Sequence, residues 1–196
     1  MWPWEHVFFA YVFYSAYCHL VHRRSPSGPA TLALVFGSLL PDLVDKPLAW
    51  QFGLFASGYS VAHSIFIAGP VVVLTTWWSA GRDRLEEGAA FGIGYLLHLL
   101  GDLLPISIEQ GELYYSHLLW PVVIDTSSRH HHGLLDGFSA HFWPYITDLL
   151  ALELTAVHVL QLGSLLAGLC LWAYDGFPGV GTTIDLARRV PIRVAR

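Results

Sequence analysis

A histidine and an aspartate that could share a metal ion lie one helical turn apart in an apolar run. The run is GYLLHLLGDLLP, residues 94–105, and the two residues are His98 and Asp102. Side chains at positions i and i+4 of a helix lie on the same face, so both can point at one ion. An isolated ionisable side chain at membrane depth costs about 2.5–3.5 kcal/mol, and a shared divalent cation would offset that cost.

Four more residues offer ligands of the same types. Asp42 and Asp45 are three positions apart, and His6 and His63 stand alone in apolar surroundings. Imidazole and carboxylate together suit zinc, manganese or iron, whereas calcium prefers oxygen ligands throughout. Each residue also has an ordinary explanation: Asp42 could cap a helix, Asp45 could pair with Lys46, and His63 could be an interfacial polar residue.

The composition indicates a membrane protein. Of 196 residues, 54% are hydrophobic and 13% charged, against about 25% charged in soluble domains. The mean hydropathy is +0.49. A net charge of −5 argues against nucleic acid as a partner, and Cys18 and Cys170 have no CxxC spacing that would indicate a thiolate metal site. There is no internal repeat, so we expect a single domain over residues 1–196.

The apolar segments predict an all-α polytopic membrane bundle with about five spans. Residues 105–145 are expected to form an outer, histidine-rich loop, 146–174 the last helix, and 175–196 a basic cytoplasmic tail. The second span is short and carries Pro41, so it would need a thinner bilayer or would only enter the membrane partly. The five segments are 6–22, 30–45, 60–80, 88–104 and 149–174.

The arginines predict the orientation, because Lys and Arg concentrate on the cytoplasmic side. With the N-terminus outside and the C-terminus inside, eight of the ten basic residues are cytoplasmic, and Lys46 and Arg129 are the exceptions. The same arrangement brings ligand-type side chains from four helices to the outer edge of the bundle. These side chains are His6, Asp42, Asp45, His63, His98 and Asp102.

Several motifs then resemble, in order, those of the membrane-bound metal-dependent hydrolase family, also described as LexA-binding, inner-membrane-associated and YdjM-like. They are an early His6, GSLLPDLVD at 37–45, AHS at 62–64, GYLLHLLGD at 94–102 and LLWPV at 119–123, and they cover about residues 6–125. That family is itself similar to the all-helical zinc-dependent phospholipase C and P1 nuclease group, which implies phosphoester hydrolysis at a metal cluster. The resemblance implies as ligands His6, Asp42, His63, His98 and Asp102, with Asp45 as a further candidate.

The chain also departs from the family pattern. The family commonly has Arg-Gly before a Thr-His-Ser triplet, where this chain has YSVAHS, and a Thr and Gly turn after HxxxD, where it has LLPISIEQG. Substrate contacts are therefore expected to differ. The histidines beyond the matched region, which either complete the site or belong to a solvated loop, are His130, His131, His132 and His141.

The expected activity is hydrolysis of phosphoester or lipid-like substrates by a water activated on a divalent metal, with zinc expected and manganese or iron as alternatives. No GxSxG motif, phosphate loop or dinucleotide fingerprint is present. The candidate general bases are Asp45, Glu109 and Glu112. We expect an inner or plasma membrane location with the site on the extracytoplasmic side and membrane lipid as a neighbour.

Two other classes of protein remain open. One is a membrane metal-binding or transport protein without hydrolytic activity, although only Glu153, His158 and Gln161 place polar groups deep in the fifth segment. The other is a soluble, very apolar helical bundle that holds the same ligands.

Overall fold

The computed structural model describes residues 1–124 and 133–189, and these form helices joined by turns. The predicted all-helical class is confirmed. Short π-helical turns at Cys18–His22 and Pro47–Gln51 extend the first two helices, and Ser116–Leu119 is a 3₁₀ turn. The α-helices of the described residues are α1 (Pro3–Tyr17), α2 (Gly28–Lys46), α3 (Ile65–Ala80), α4 (Leu85–Gln110), α5 (Leu134–Leu150), α6 (Ala156–Tyr174) and α7 (Val180–Arg189).

Helix α4 lies at the centre of the bundle and packs against α1, α2, α3 and α6. Its buried Phe91, Tyr95 and Leu99 form one apolar cluster. A second cluster joins α1 and α2 through residues such as Tyr11 and Leu34. Because α4 touches most of the other helices, side chains on its inner face can meet side chains from several elements.

Helices α2 and α4 are in backbone contact through two glycines. A Cβ atom on Gly37 would lie 2.2 Å from the carbonyl oxygen of Phe91, and one on Gly94 would lie 2.3 Å from that of Leu34. No side chain fits at either distance. Small residues of this kind let membrane helices approach closely, and here they hold α2 and α4 at a fixed separation.

Two helices, α4 and α6, are long and apolar enough to cross a membrane, and α3 is a shorter apolar helix. This is the number among the described residues, so helix length and composition do not establish the predicted five spans. Outward-facing apolar side chains are frequent: Val73, Leu74 and Trp77 of α3 are all exposed. Such a surface is expected for a helix that faces lipid.

The predicted boundaries near the C-terminal half need correction. The expected outer loop at 105–145 contains the last turns of α4 and most of α5, and the expected last helix at 146–174 is the end of α5, a turn and α6. Leu152 has a left-handed φ of 58°, and the Thr155 side chain accepts a hydrogen bond from the backbone of His158 to begin α6. The turn between these helices is itself rich in leucine, so hydropathy alone does not reveal it.

Candidate metal centre

Two histidines and two aspartates meet at one buried point. The last turns of α2 supply Asp42, the segment before α3 supplies His63, and α4 supplies His98 and Asp102. Each side chain offers one ligand atom, and these four atoms lie within 4.8 Å of one another. All four residues are buried, with at most 6% of their surface exposed. The structure thus brings together four of the residues that the sequence proposes as ligands.

Five of the six pairwise distances are close to those between ligands of a single small cation. Nε2 of His63 is 3.1 Å from Nε2 of His98, and these nitrogens lie 3.3 and 3.4 Å from Oδ2 of Asp102. They lie 3.6 and 3.7 Å from Oδ1 of Asp42. Tetrahedral ligands at metal distances of about 2.0–2.1 Å are separated by about 3.3 Å. The observed separations bracket that value.

The hydrogen bonds behind the two imidazoles decide which nitrogen faces the centre as an acceptor. Nδ1 of His98 is 2.7 Å from the carbonyl oxygen of Ser38, and Nδ1 of His63 is 2.9 Å from Oδ2 of Asp45. A carbonyl and a carboxylate only accept, so both Nδ1 atoms donate. In the neutral imidazoles, both Nε2 atoms then carry lone pairs. Two lone pairs facing each other at 3.1 Å repel unless a proton or a metal cation is shared between them.

Each carboxylate at the centre also has one oxygen without a hydrogen-bond donor. Oδ1 of Asp42 and Oδ2 of Asp102 are buried and have no hydrogen-bond partner. A buried polar atom without a partner costs about 1–3 kcal/mol, and more when it is charged. Four acceptor atoms therefore point at one place that supplies no donor. The residues fit a divalent cation with nitrogen and oxygen ligands.

His6 lies beside this group rather than within it. Its ring stacks on that of His98 with a centroid distance of 3.9 Å, and its Nε2 is 3.1 Å from Oδ1 of Asp102. His6 is fully buried, and neither ring nitrogen has a hydrogen-bond partner. The α-amino group of Met1 lies 2.8 Å from the same Asp102 oxygen. Asp102 thus presents one oxygen to the four-residue group and the other to His6.

Asp45 lies behind His63. Its oxygens accept hydrogen bonds from the backbone N–H groups of Ser60, Ala62 and His63, at 2.9–3.1 Å, and from Nδ1 of His63. A carboxylate in this position fixes the ring of a metal-binding histidine and raises its basicity. The alternative pairing of Asp45 with Lys46 is wrong, because Lys46 bonds to Asp42 instead.

The remaining candidates lie elsewhere. Glu109 and Glu112 are exposed at the end of α4 and in the turn after it, outside the four-residue group. The ring of His141 stacks on Trp50 with a centroid distance of 5.6 Å. The stretch with His130, His131 and His132 lies outside the described residues.

Sequence reasoning missed the aromatic residues that pack around the site. The Tyr59 ring meets His63 edge-on at 4.9 Å and stacks on His117 at 4.1 Å. The Tyr95 hydroxyl donates to the carbonyl of Ala62 at 2.6 Å, next to His63. It also missed the carbonyl of Ser38, since no residue type marks a backbone acceptor. In the sequence, the one signal of these surrounding residues was Tyr95, which precedes His98 by about one helical turn.

A comparison with protein families identifies the family of the chain. The model of the family described as YdjM inner membrane protein matches residues 1–183. The chain belongs to this family. Membership in the YdjM family assigns the protein to the membrane, and the match continues well beyond the motifs at residues 6–125. No curated protein and no solved structure matches the chain.

Proposed function

We propose that this YdjM-family protein is a membrane-bound metal-dependent hydrolase that acts on phosphoester or lipid-like substrates. The observation that carries the proposal is the pair of Nε2 acceptors of His63 and His98, 3.1 Å apart, with the unpartnered oxygens of Asp42 and Asp102 beside them. With both imidazoles neutral, four acceptors face one another, and a shared divalent cation would satisfy all four. The choice of phosphoesters rests on the resemblance of the sequence motifs, which implies a likeness to zinc-dependent phospholipase C and P1 nuclease.

The proposed ligands are Asp42, His63, His98 and Asp102. A divalent cation in such a site lowers the pKa of a bound water towards about 7 and polarises a phosphoryl oxygen. Zinc is our first choice, because imidazole and carboxylate suit it, and manganese and iron accept the same donors. His6 is proposed as a further metal ligand, because its Nε2 lies next to the second oxygen of Asp102.

The surrounding residues hold the proposed ligands in place. Asp45 keeps the Nδ1 proton of His63 in place, so it acts through His63 rather than on substrate. The Ser38 carbonyl does the same for His98. Glu112 stays our predicted proton acceptor, since it is exposed on the segment that follows α4.

The activity is tested on purified protein in detergent with phosphomonoesters, phosphodiesters and phospholipids. We expect product release that a chelator abolishes, that a divalent ion restores, and that His98→Ala and Asp102→Ala reduce at least about 100-fold. His22→Ala, which changes an exposed histidine outside the site, is the matched control. Activity that persists in both site variants would refute the proposal. Bound metal without activity on any substrate would favour the metal-binding or transport alternative.

We propose that the site faces the extracytoplasmic side, as the arginine distribution predicts. The test uses a background in which Cys18 and Cys170 are replaced by alanine, with one new cysteine at Arg82 or at Gln110. In intact cells a membrane-impermeant maleimide should label Gln110→Cys and leave Arg82→Cys unlabelled. The reverse pattern would place the site on the cytoplasmic side.

A further inference from the structure

The structure places the one lysine of the sequence at the edge of the metal centre. Lys46 ends α2, one helical turn after Asp42, and its Nζ lies 2.5 Å from Oδ2 of Asp42. The Lys46 side chain is 22% exposed, whereas that of Asp42 is 7% exposed. A positive charge therefore lies where the buried ligand set reaches the surface.

The lysine side chain is confined by its neighbours. Its Nζ is 5.7 Å from the centre of the Trp50 ring, in the range of a cation–π contact. On the other side, a Cβ atom on Gly58 would lie 3.3 Å from Cγ of Lys46, so the glycine leaves room for the stem. A lysine held between a ring and a loop keeps its ammonium group in one region.

Asp42 divides its two oxygens between the metal centre and this ammonium group. Oδ1 lies near the Nε2 atoms of His63 and His98, and Oδ2 accepts from Lys46. An ammonium on a ligand carboxylate weakens that ligand and repels a neighbouring cation. In a site that only stores metal, the ammonium group would weaken metal binding. In a site that also binds an anion beside the metal, the same ammonium group strengthens anion binding.

We propose that the Lys46 ammonium binds the negatively charged oxygen of a substrate phosphate and makes the site selective for anionic esters. This inference rests on the proposed function and names the substrate class for the same site. A phosphate offers oxygens to both the cation and the ammonium, and Lys is a common point-charge binder of phosphate. In the predicted topology Lys46 is also one of two basic residues on the outer side, which argues against a role in orientation. A free phosphoester and a lipid headgroup share this chemistry.

The test compares the metal-loaded wild type with Lys46→Gln and Lys46→Arg. Bound metal is measured first, and we expect Lys46→Gln to bind it as tightly as the wild type or more tightly. Inorganic phosphate binding is then measured by titration calorimetry on the same samples. We expect at least about tenfold weaker phosphate binding in Lys46→Gln and a smaller loss in Lys46→Arg.

Two results would overturn this inference. If phosphate binds wild type and Lys46→Gln equally, or binds neither, the ammonium is not an anion site. If Lys46→Gln loses the metal, Lys46 serves only to hold Asp42. A wild type that binds no metal instead refutes the proposed function, so the two failures are distinguishable.

A second measurement uses the fact that the chain has one lysine. In metal-loaded wild type, phosphate should slow acylation of Lys46 by an amine-reactive ester, as read by mass spectrometry of the peptide. Protection by glycerol phosphate indicates a soluble substrate, and protection only by phosphatidic acid in mixed micelles indicates a lipid headgroup. Equal acylation with and without every phosphate compound would contradict the proposal.

Discussion

The protein has buried carboxylates at two levels of the bundle, and their surroundings differ. Near the start of α1, Asp42 and Asp102 keep oxygens without a hydrogen-bond donor. Near its end, Asp175 accepts from the hydroxyls of Tyr11 and Ser15, each at 2.7 Å, and lies 2.6 Å from Nε2 of His19. The two sites lie about 13 Å apart along α1, which is the rise of the helix from His6 to Ser15 at about 1.5 Å per residue.

Both sites combine imidazole with carboxylate, so residue type does not distinguish them. The number of hydrogen-bond donors around each carboxylate distinguishes them. Asp175 has a donor for each oxygen, whereas Asp42 and Asp102 each keep one oxygen without a donor beside His63 and His98. A buried acid with satisfied oxygens stabilises the fold, and a buried group of acceptors without donors selects a cation.

The largest expected difference between the two sites is in bound metal. Asp102→Ala and His98→Ala remove a direct ligand of the proposed site, so we expect metal content after purification to fall more than about 100-fold, beyond the loss caused by a residue that acts behind a ligand. Asp175→Asn should leave it unchanged. Elemental analysis of the purified proteins measures both, and an equal loss in all three variants would mean that the metal binds elsewhere.

A smaller effect is expected for Asp45, which contacts His63 rather than the ion. Asp45→Ala frees the Nδ1 of His63 and should weaken metal binding by about 10–100-fold. The measurement is competition against a chromophoric chelator, with Asp185→Ala on the exposed face of α7 as the control. Unchanged affinity in Asp45→Ala would show that the ring of His63 is held by other contacts.

The free energy of unfolding should change by different amounts at the two sites. Asp175→Ala leaves the hydroxyls of Tyr11 and Ser15 without an acceptor, and we expect the free energy of unfolding to fall by about 2–3 kcal/mol. Asp42→Asn in metal-free protein replaces one carboxylate oxygen by an N–H donor that can bond to the facing acceptors, which offsets the lost ion pair with Lys46, and should change it by less than about 1 kcal/mol. Denaturant titration in detergent compares the two, and a larger loss for Asp42→Asn would contradict this assignment.

The smallest expected effect is a dependence of the free energy of unfolding on pH. Burial raises the pKa of Asp175, but hydrogen bonds from Ser15, Tyr11 and His19 outweigh it and leave the pKa below its ordinary value. A lowered pKa in the folded state stabilises the fold above the unfolded pKa of about 4, and this contribution is lost as the pH falls through the folded value. Wild type should therefore lose more stability than Asp175→Asn on acidification below about pH 4. Parallel curves for the two proteins would contradict it.

The sequence predicts which polar residues meet better than it predicts the helix boundaries around them. The spacing of His98 and Asp102 is enough, because an i and i+4 pair shares a helix face wherever the helix lies. The split between α5 and α6 was missed, since it depends on a left-handed Leu152 in a leucine-rich turn. The partner of Lys46 was missed as well, because neighbours in sequence at a helix end need not share a face.

The contact of Gly37 with Phe91 and of Gly94 with Leu34 joins the two helices that carry three of the four metal ligands. Asp42 follows Gly37 by five residues, and His98 follows Gly94 by four. A methyl group at either glycine would wedge the helices apart and carry the ligands with them, although it touches none of them. In the proposed metal site, the coordination of an ion would therefore depend on the interhelical spacing, and spectroscopy of a bound paramagnetic metal would detect a backbone shift made a full helical turn away.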